Sequence, residues 1–239
     1  MKENNLDKCI RVNFKMVDNE IAVAATMPIL VVMCMMTIFL SVLSLIPIIV
    51  SFVYLFKMYK KLFYTSVYGE TAATYQSMPV SAAEMTAAKI FVGGLGNIIC
   101  GAAYIIVISI FVLYLGADGF SDILYAFQSL GNGLDFYLLP VGVISLVIAA
   151  FAQSAMIFLA VVAYQSVVRE EKKGLYRFLI ITGAYVINQL LGRSGTLLEK
   201  LGIGSLIIPV VIGIVLSIVV MVLCYRKTVK LLEEKYEWG

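Results

Sequence analysis

IAVAATMPILVVMCMMTIFLSVLSLIPIIVSFVYLF, running from Ile21 to Phe56, is 36 residues long and carries no charged side chain. As one straight helix it would be about 54 Å long at 1.5 Å per residue, against a hydrocarbon core of about 30 Å. As a hairpin it would give two short spans turning near Ser41–Ser44. Pro28 and Pro47 each remove a backbone donor, so a kink is expected at each. No Gly, Asn or Asp stands in the middle to make a turn, which favours one long, kinked helix over about 21–58.

Outward from this run, the chain keeps the same character. It has 239 residues, 62% hydrophobic and 14% charged, with a mean hydropathy of +0.97. A soluble domain is about 45–50% apolar and about 25% charged, so the bilayer is the expected solvent. Four later apolar runs fit spanning helices, at about 88–115, 137–166, 177–192 and 204–225. The run at 177–192 is short and holds Asn188 and Gln189, so a short or partly re-entrant helix is expected there. The fold class expected is all-α: a polytopic transmembrane helical bundle of five or six spans. It forms one domain over 1–239, with a polar segment at 57–87.

Basic residues set the orientation. Lys57, Lys60, Lys61 and Lys89 flank the 57–89 segment. Arg169, Lys172, Lys173 and Arg177 mark the 166–177 loop, and Arg226, Lys227, Lys230 and Lys235 the tail. The 116–136 loop has no Lys or Arg but carries Asp118, Asp122 and Asp135. The alternation puts 57–89, 166–177 and the C-terminus in the cytoplasm. The mixed charges before Ile21 do not read as a cleavable signal peptide. No Asp, Glu, Lys or Arg is expected deep in a span, which counts against ion-coupled transport.

Several chemistries lack their residues. There is no His, hence no imidazole base or metal ligand. Cys9, Cys34, Cys100 and Cys224 form no CxxC pair and read as small buried hydrophobes, so no metal is expected. No GxxxxGK[ST] loop occurs, so this chain does not bind ATP as a motor subunit does. No catalytic constellation, cofactor site or nucleic-acid contact is expected, and the chain reads as a non-enzyme. Gly93, Gly94, Gly96 and Gly101 lie in one apolar run, with Asn97 among them. On a helix Gly93, Asn97 and Gly101 share a face suited to close helix packing, or to lining a path. Gln153, Asn188 and Gln189 are polar groups within apolar runs, read as interhelical hydrogen bonders or path-lining residues.

The polar segment carries the functional signal. Tyr64 to Lys89 reads YTSVYGETAATYQSMPVSAAEMTAAK. Ser81 and Glu84 have the spacing of a capping box, so a helix is expected from about residue 82. Pro79 disfavours helix at Met78, placing a chain break near 77–80. Residues 57–76 can form a helical extension with Tyr59, Phe63, Tyr64 and Tyr68 on a partly apolar face.

Phe63-Tyr64, Gly69-Glu70, Met78-Pro79-Val80-Ser81 and Ala88-Lys89 together resemble a signature of ABC-2 type transporter permeases, in particular the small ones of Firmicutes. The match covers roughly 57–95. The family commonly has an aromatic-Leu step where Ala73-Thr74 stands here, and often Arg where Leu62 stands. The resemblance implies a permease subunit of an ATP-driven export system in the bacterial plasma membrane. Its partners would be a cytoplasmic ABC ATPase and a second permease subunit, as homodimer or heterodimer. It implies an ATPase dock made of Phe63, Tyr64, Tyr68, Gly69, Glu70, Met78, Pro79, Val80, Ser81, Glu84 and Lys89. The competing reading is a non-transporting membrane accessory, an immunity or sensor subunit that binds a partner without moving substrate.

Overall fold

The computed structural model describes residues 5–36, 43–69, 72, 80–114, 138–167 and 207–236. Among the described residues there is no strand. The long helices are α1 (Asn5–Met35), α2 (Leu45–Tyr59), α3 (Ala82–Tyr114), α4 (Leu138–Val167) and α5 (Ile207–Tyr236). α2 continues into a π-helical turn, Lys60–Thr65, and ends in a short turn, Ser66–Tyr68. Four helices contain segments long and apolar enough to cross a membrane: Asn5–Met35, Ala82–Phe111, Gly142–Gln165 and Val211–Glu234. Their outward faces carry Ile29, Ile105, Leu146, Val215 and Leu223, all exposed, as lipid-facing surfaces are. This is an all-helical membrane protein. The expected run at 177–192 lies outside the described residues.

The first apolar run is not one helix. It is divided between α1 and α2, which pack against each other as the arms of a hairpin. Pro47 explains much of this. It stands in the first turn of α2, where backbone N–H groups have no intrahelical partner, so its missing donor costs nothing. A proline expected to kink a helix starts one instead. Pro28 is accommodated inside α1.

α1 also starts much earlier than the apolar run. Its buried positions are Cys9, Asn13, Val17, Glu20, Ile21, Ala24, Pro28 and Val31, spaced by three and four as on one helical face. Charged residues such as Lys8, Arg11, Lys15 and Asp18 fill the other faces, which hides the helix from a hydropathy reading.

Side-chain contacts give the helix directions. The Ser51 hydroxyl donates to the Ala24 carbonyl (3.2 Å), and Lys61 pairs with Glu20 (2.6 Å), so α2 runs antiparallel to α1. Lys89 meets Asn13, and the Cys100 thiol reaches the Ile21 carbonyl, so α3 is parallel to α1. Asn97 donates to the Ala150 carbonyl (3.5 Å), and Ser154 lies against Gly93, so α4 is antiparallel to α3. The Tyr225 hydroxyl donates to the Ala83 carbonyl (3.3 Å). With that level fixed, and the apolar length of α5 packed along α4, α5 runs parallel to α4.

Three glycines let α3 sit close to its neighbours. A Cβ at Gly93 would overlap the Ser154 hydroxyl and crowd Phe63, one at Gly94 would enter the Phe151 ring, and one at Gly96 would meet the Met58 sulfur at 2.6 Å. Gly101 differs from the expectation of a shared packing face: nothing lies within 4 Å of a Cβ built there. Gly101 therefore faces away from the neighbours that Gly93, Gly94 and Gly96 meet.

These contacts give a matched pair of substitutions. Gly93→Leu should destabilise the bundle by about 1–3 kcal/mol through overpacking, lowering the melting temperature in detergent. Gly101→Leu should leave the melting temperature unchanged. Equal effects at the two positions would contradict the α3–α4 packing described here.

Candidate functional site: a capped turn beside a buried lysine

The spacing of Ser81 and Glu84 is realised as a reciprocal cap. The Glu84 carboxylate accepts from the Ser81 backbone N–H (2.9 Å) and hydroxyl (3.1 Å), and the Ser81 Oγ accepts from the Glu84 N–H (3.2 Å). α3 starts at Ala82, directly after this turn. A helix N-terminus close to the polar segment is thereby fixed in place.

Two turns further along α3, Lys89 is fully buried (0% exposed). This corrects two expectations. Lys89 is neither a loop charge nor a surface contact, and it places a basic side chain inside a helix assigned to the membrane bundle. Its ammonium donates to the Leu62 carbonyl (2.7 Å), the Asn13 Oδ1 (3.3 Å) and the Ser66 Oγ. An ammonium has three donors, and these three oxygens come from α1, the π turn and the short turn after it.

The partners are themselves oriented. Ser66 donates its hydroxyl to the Leu62 carbonyl (2.6 Å) while accepting from Lys89. Asn13 donates through Nδ2 to the Cys9 carbonyl (2.8 Å) and sulfur (3.4 Å), leaving its oxygen for Lys89. Burying an ammonium is costly unless its hydrogen bonds are made, so this network is a condition of the packing around it.

Ser66 stands four residues after Leu62, so its hydroxyl and the Leu62 carbonyl share one face of the helix, at the end of a π turn. A π-helix closes i→i+5 hydrogen bonds and is rare outside single turns at functional places. Here the Ser66 N–H reaches the Lys61 carbonyl. Leu62, Phe63, Ser66 and Val67 are all buried on one side. Phe63 stacks on Phe158 of α4 (4.7 Å between centroids) and on Tyr59 (5.5 Å). Lys61 reaches the buried Glu20 of α1. The turn is thus held from α1, α3 and α4 together.

The residues expected to form a dock divide into two sets. Phe63 and Lys89 are fully buried and serve the bundle interior, in packing and hydrogen bonding. Tyr64, Tyr68, Gly69, Val80 and Glu84 are half-buried, and Ser81 is exposed. Tyr64 and Tyr68 lie ring against ring at 6.2 Å. Gly69 follows closely on Thr65, donating to its carbonyl (3.0 Å), where a Cβ would meet that oxygen at 2.8 Å. Glu70, Met78, Pro79, Asn188 and Gln189 lie outside the described residues. Asn97 bonds across to α4 as above, and Gln153 is half-buried on α4.

Asn13, Glu20, Leu62, Ser66 and Phe158 were not singled out in the sequence. A faint signal for Asn13 exists: Cys9, Asn13 and Val17 recur every four residues, so an amphipathic helix would turn Asn13 inward. Leu62 contributes a backbone carbonyl, which no side-chain pattern can announce. No protein-family model, no curated protein and no solved structure matches this chain.

If the network acts as a unit, its members are not additive. Lys89→Met should cost about 1–3 kcal/mol, since it strands buried acceptors. Asn13→Leu together with Lys89→Met should cost less than the sum of the two single changes, by about 0.5–3 kcal/mol in an unfolding titration. Additive costs would show that Asn13 and Lys89 do not depend on each other.

Proposed function

We propose that this chain is the transmembrane permease subunit of an ATP-driven ABC-type export system of the ABC-2 kind, with ATP hydrolysed in a separate cytoplasmic subunit. The observation that carries the reading is the partition at 62–89. Half-buried Tyr64, Tyr68, Val80 and Glu84, with exposed Ser81, offer a surface, while Phe63 and Lys89 just behind them are built into α1, α2, α3 and α4. A push on such a surface reaches the bundle through rigid, fully packed contacts. The resemblance of the Phe63-Tyr64, Gly69-Glu70, Met78–Ser81 and Ala88-Lys89 elements to the family signature supports the same reading.

In this reading the membrane is the bacterial plasma membrane, and the ends of α2 and α5 that carry Lys57, Lys60, Lys61, Arg226, Lys227 and Lys230 face the cytoplasm. α4 ends and α5 begins at opposite ends of the bundle, since the two helices are parallel. That supports six spans with both chain termini cytoplasmic. A second permease subunit, identical or related, would complete an enclosed path. In this reading the chain itself needs no cofactor, since ATP is handled by the partner subunit.

Co-purification tests the proposal. The native chain, purified in detergent from its own host, should carry with it a cytoplasmic ABC ATPase. Tyr64→Ala together with Tyr68→Ala should abolish that association while the chain still elutes as a folded, monodisperse species. If the native chain brings down no ATPase, the permease reading falls and the accessory reading replaces it.

A further inference from the structure

We infer that the cytoplasmic leaflet is stepped around this bundle: phospholipid headgroups and water follow the basic outward faces of α1 and α2 inward, to a depth at which α5 still faces lipid tails. Each of these helices marks its own membrane edge, where its exposed face changes character. The exposed face of α1 carries Lys8, Arg11 and Lys15, then Ala22, Ile29 and Met33, with Asp7 and Asp18 flanking the cations. That of α2 carries Phe52, Val53 and Phe56, then Lys57 and Lys60. That of α5 carries Val219, Val222 and Leu223, then Arg226 and Lys227.

The edges of α1 and α2 are level, since Lys61 at the one meets Glu20 at the other (2.6 Å). Through the Cys100 thiol and the Ile21 carbonyl (4.0 Å), that level is Cys100 on α3. The edge of α5 is level with Ala83, whose carbonyl accepts from the Tyr225 hydroxyl (3.3 Å). The two levels are about 20–25 Å apart along α3 at 1.5 Å per residue. Val219, six residues before Tyr225, therefore stands level with Lys89 and Asn13, where α1 turns Arg11 and Lys15 outward. α1 and α5 both pack on α3, so their axes are at most about 20 Å apart. A flat leaflet would meet both edges only if the bundle leaned by about 45° or more, whereas spanning helices lean by about 0–40°. The leaflet bends instead: charged groups at membrane depth draw in headgroups and water, which costs less than immersing the charges in hydrocarbon. Phosphates are the counter-groups that Lys15, Lys57 and Lys60 would meet there. Lys57 lies over the Tyr54 ring (4.6 Å to the centroid), a cation and an aromatic paired as suits the headgroup level. The change from apolar to basic along α5 is that of a lipid-facing helix, which favours lipid over a protein partner on its stripe. The step is independent of what the chain moves.

Single spin labels test the step on the full chain in lipid nanodiscs, in a Cys34→Ser background that leaves only the buried native cysteines. Val12→Cys and Val219→Cys put a label on the exposed faces of α1 and α5 at one level. The α1 label should be relaxed by a water-soluble nickel chelate, and the α5 label by oxygen, which concentrates among lipid tails. Ile29→Cys should read as lipid and Lys227→Cys as water, reporting an inserted chain. Nickel access at both Val12 and Val219 overturns the step, and so does oxygen access at both. Shielding of Val219 from both reagents also overturns it, by placing a protein partner on α5. Polarised infrared spectroscopy of aligned bilayers should give a mean helix lean below about 40°; a lean of about 45° or more lets a flat leaflet meet both edges and overturns the step. Spin-labelled phosphatidylglycerol should associate with the chain severalfold more than spin-labelled phosphatidylcholine, and Lys15→Gln, Lys57→Gln and Lys60→Gln together should remove most of that preference. No preference, or one that the triple variant leaves unchanged, overturns the assignment of these faces to headgroups.

Discussion

An ammonium group buried among apolar helices sets the terms for this bundle. Lys89 must be met by oxygen atoms, and the chain supplies them from three separate segments: Asn13 on α1, Leu62 in the π turn and Ser66 after it. None of these is near Lys89 in sequence. The helices therefore cannot slide or rotate independently near this level without stranding either a charge or its acceptors. Close packing at Gly93, Gly94 and Gly96 begins one turn further along α3, so the polar lock and the dry packing reinforce each other.

The unusual backbone at the end of α2 lies against this lysine. Leu62 and Ser66 face the interior, and the Lys89 and Ser66 side chains both bond the Leu62 carbonyl. A rarely populated backbone form is thus stabilised by side chains from elsewhere in the fold, as expected where surroundings over-determine local geometry.

α1 is the element through which these constraints meet. Its carbonyls at Ala24 and Ile21 accept from Ser51 of α2 and Cys100 of α3, its Glu20 takes Lys61, and its Asn13 takes Lys89. Half of this helix is charged on its outer faces and apolar or hydrogen-bonded inside. It serves as the shared wall against which the α2 turn and α3 are both registered.

Composition determined that the bilayer is the solvent, because no soluble core could cover so much apolar surface. The apolar runs located α3, α4 and α5, and the Ser81–Glu84 spacing marked where α3 begins, since a capping box is local chemistry between residues three apart. What the sequence could not determine is how segments far apart in the chain meet. Pro47 is compatible with a kink or with a helix start, and only packing of α2 against α1 selects the start. Lys89 looks like a loop charge until Asn13, Leu62 and Ser66 surround it. The π turn has no composition of its own, so no residue pattern announces it. Local chemistry is written in neighbouring letters; the satisfaction of a buried charge is a property of the folded whole.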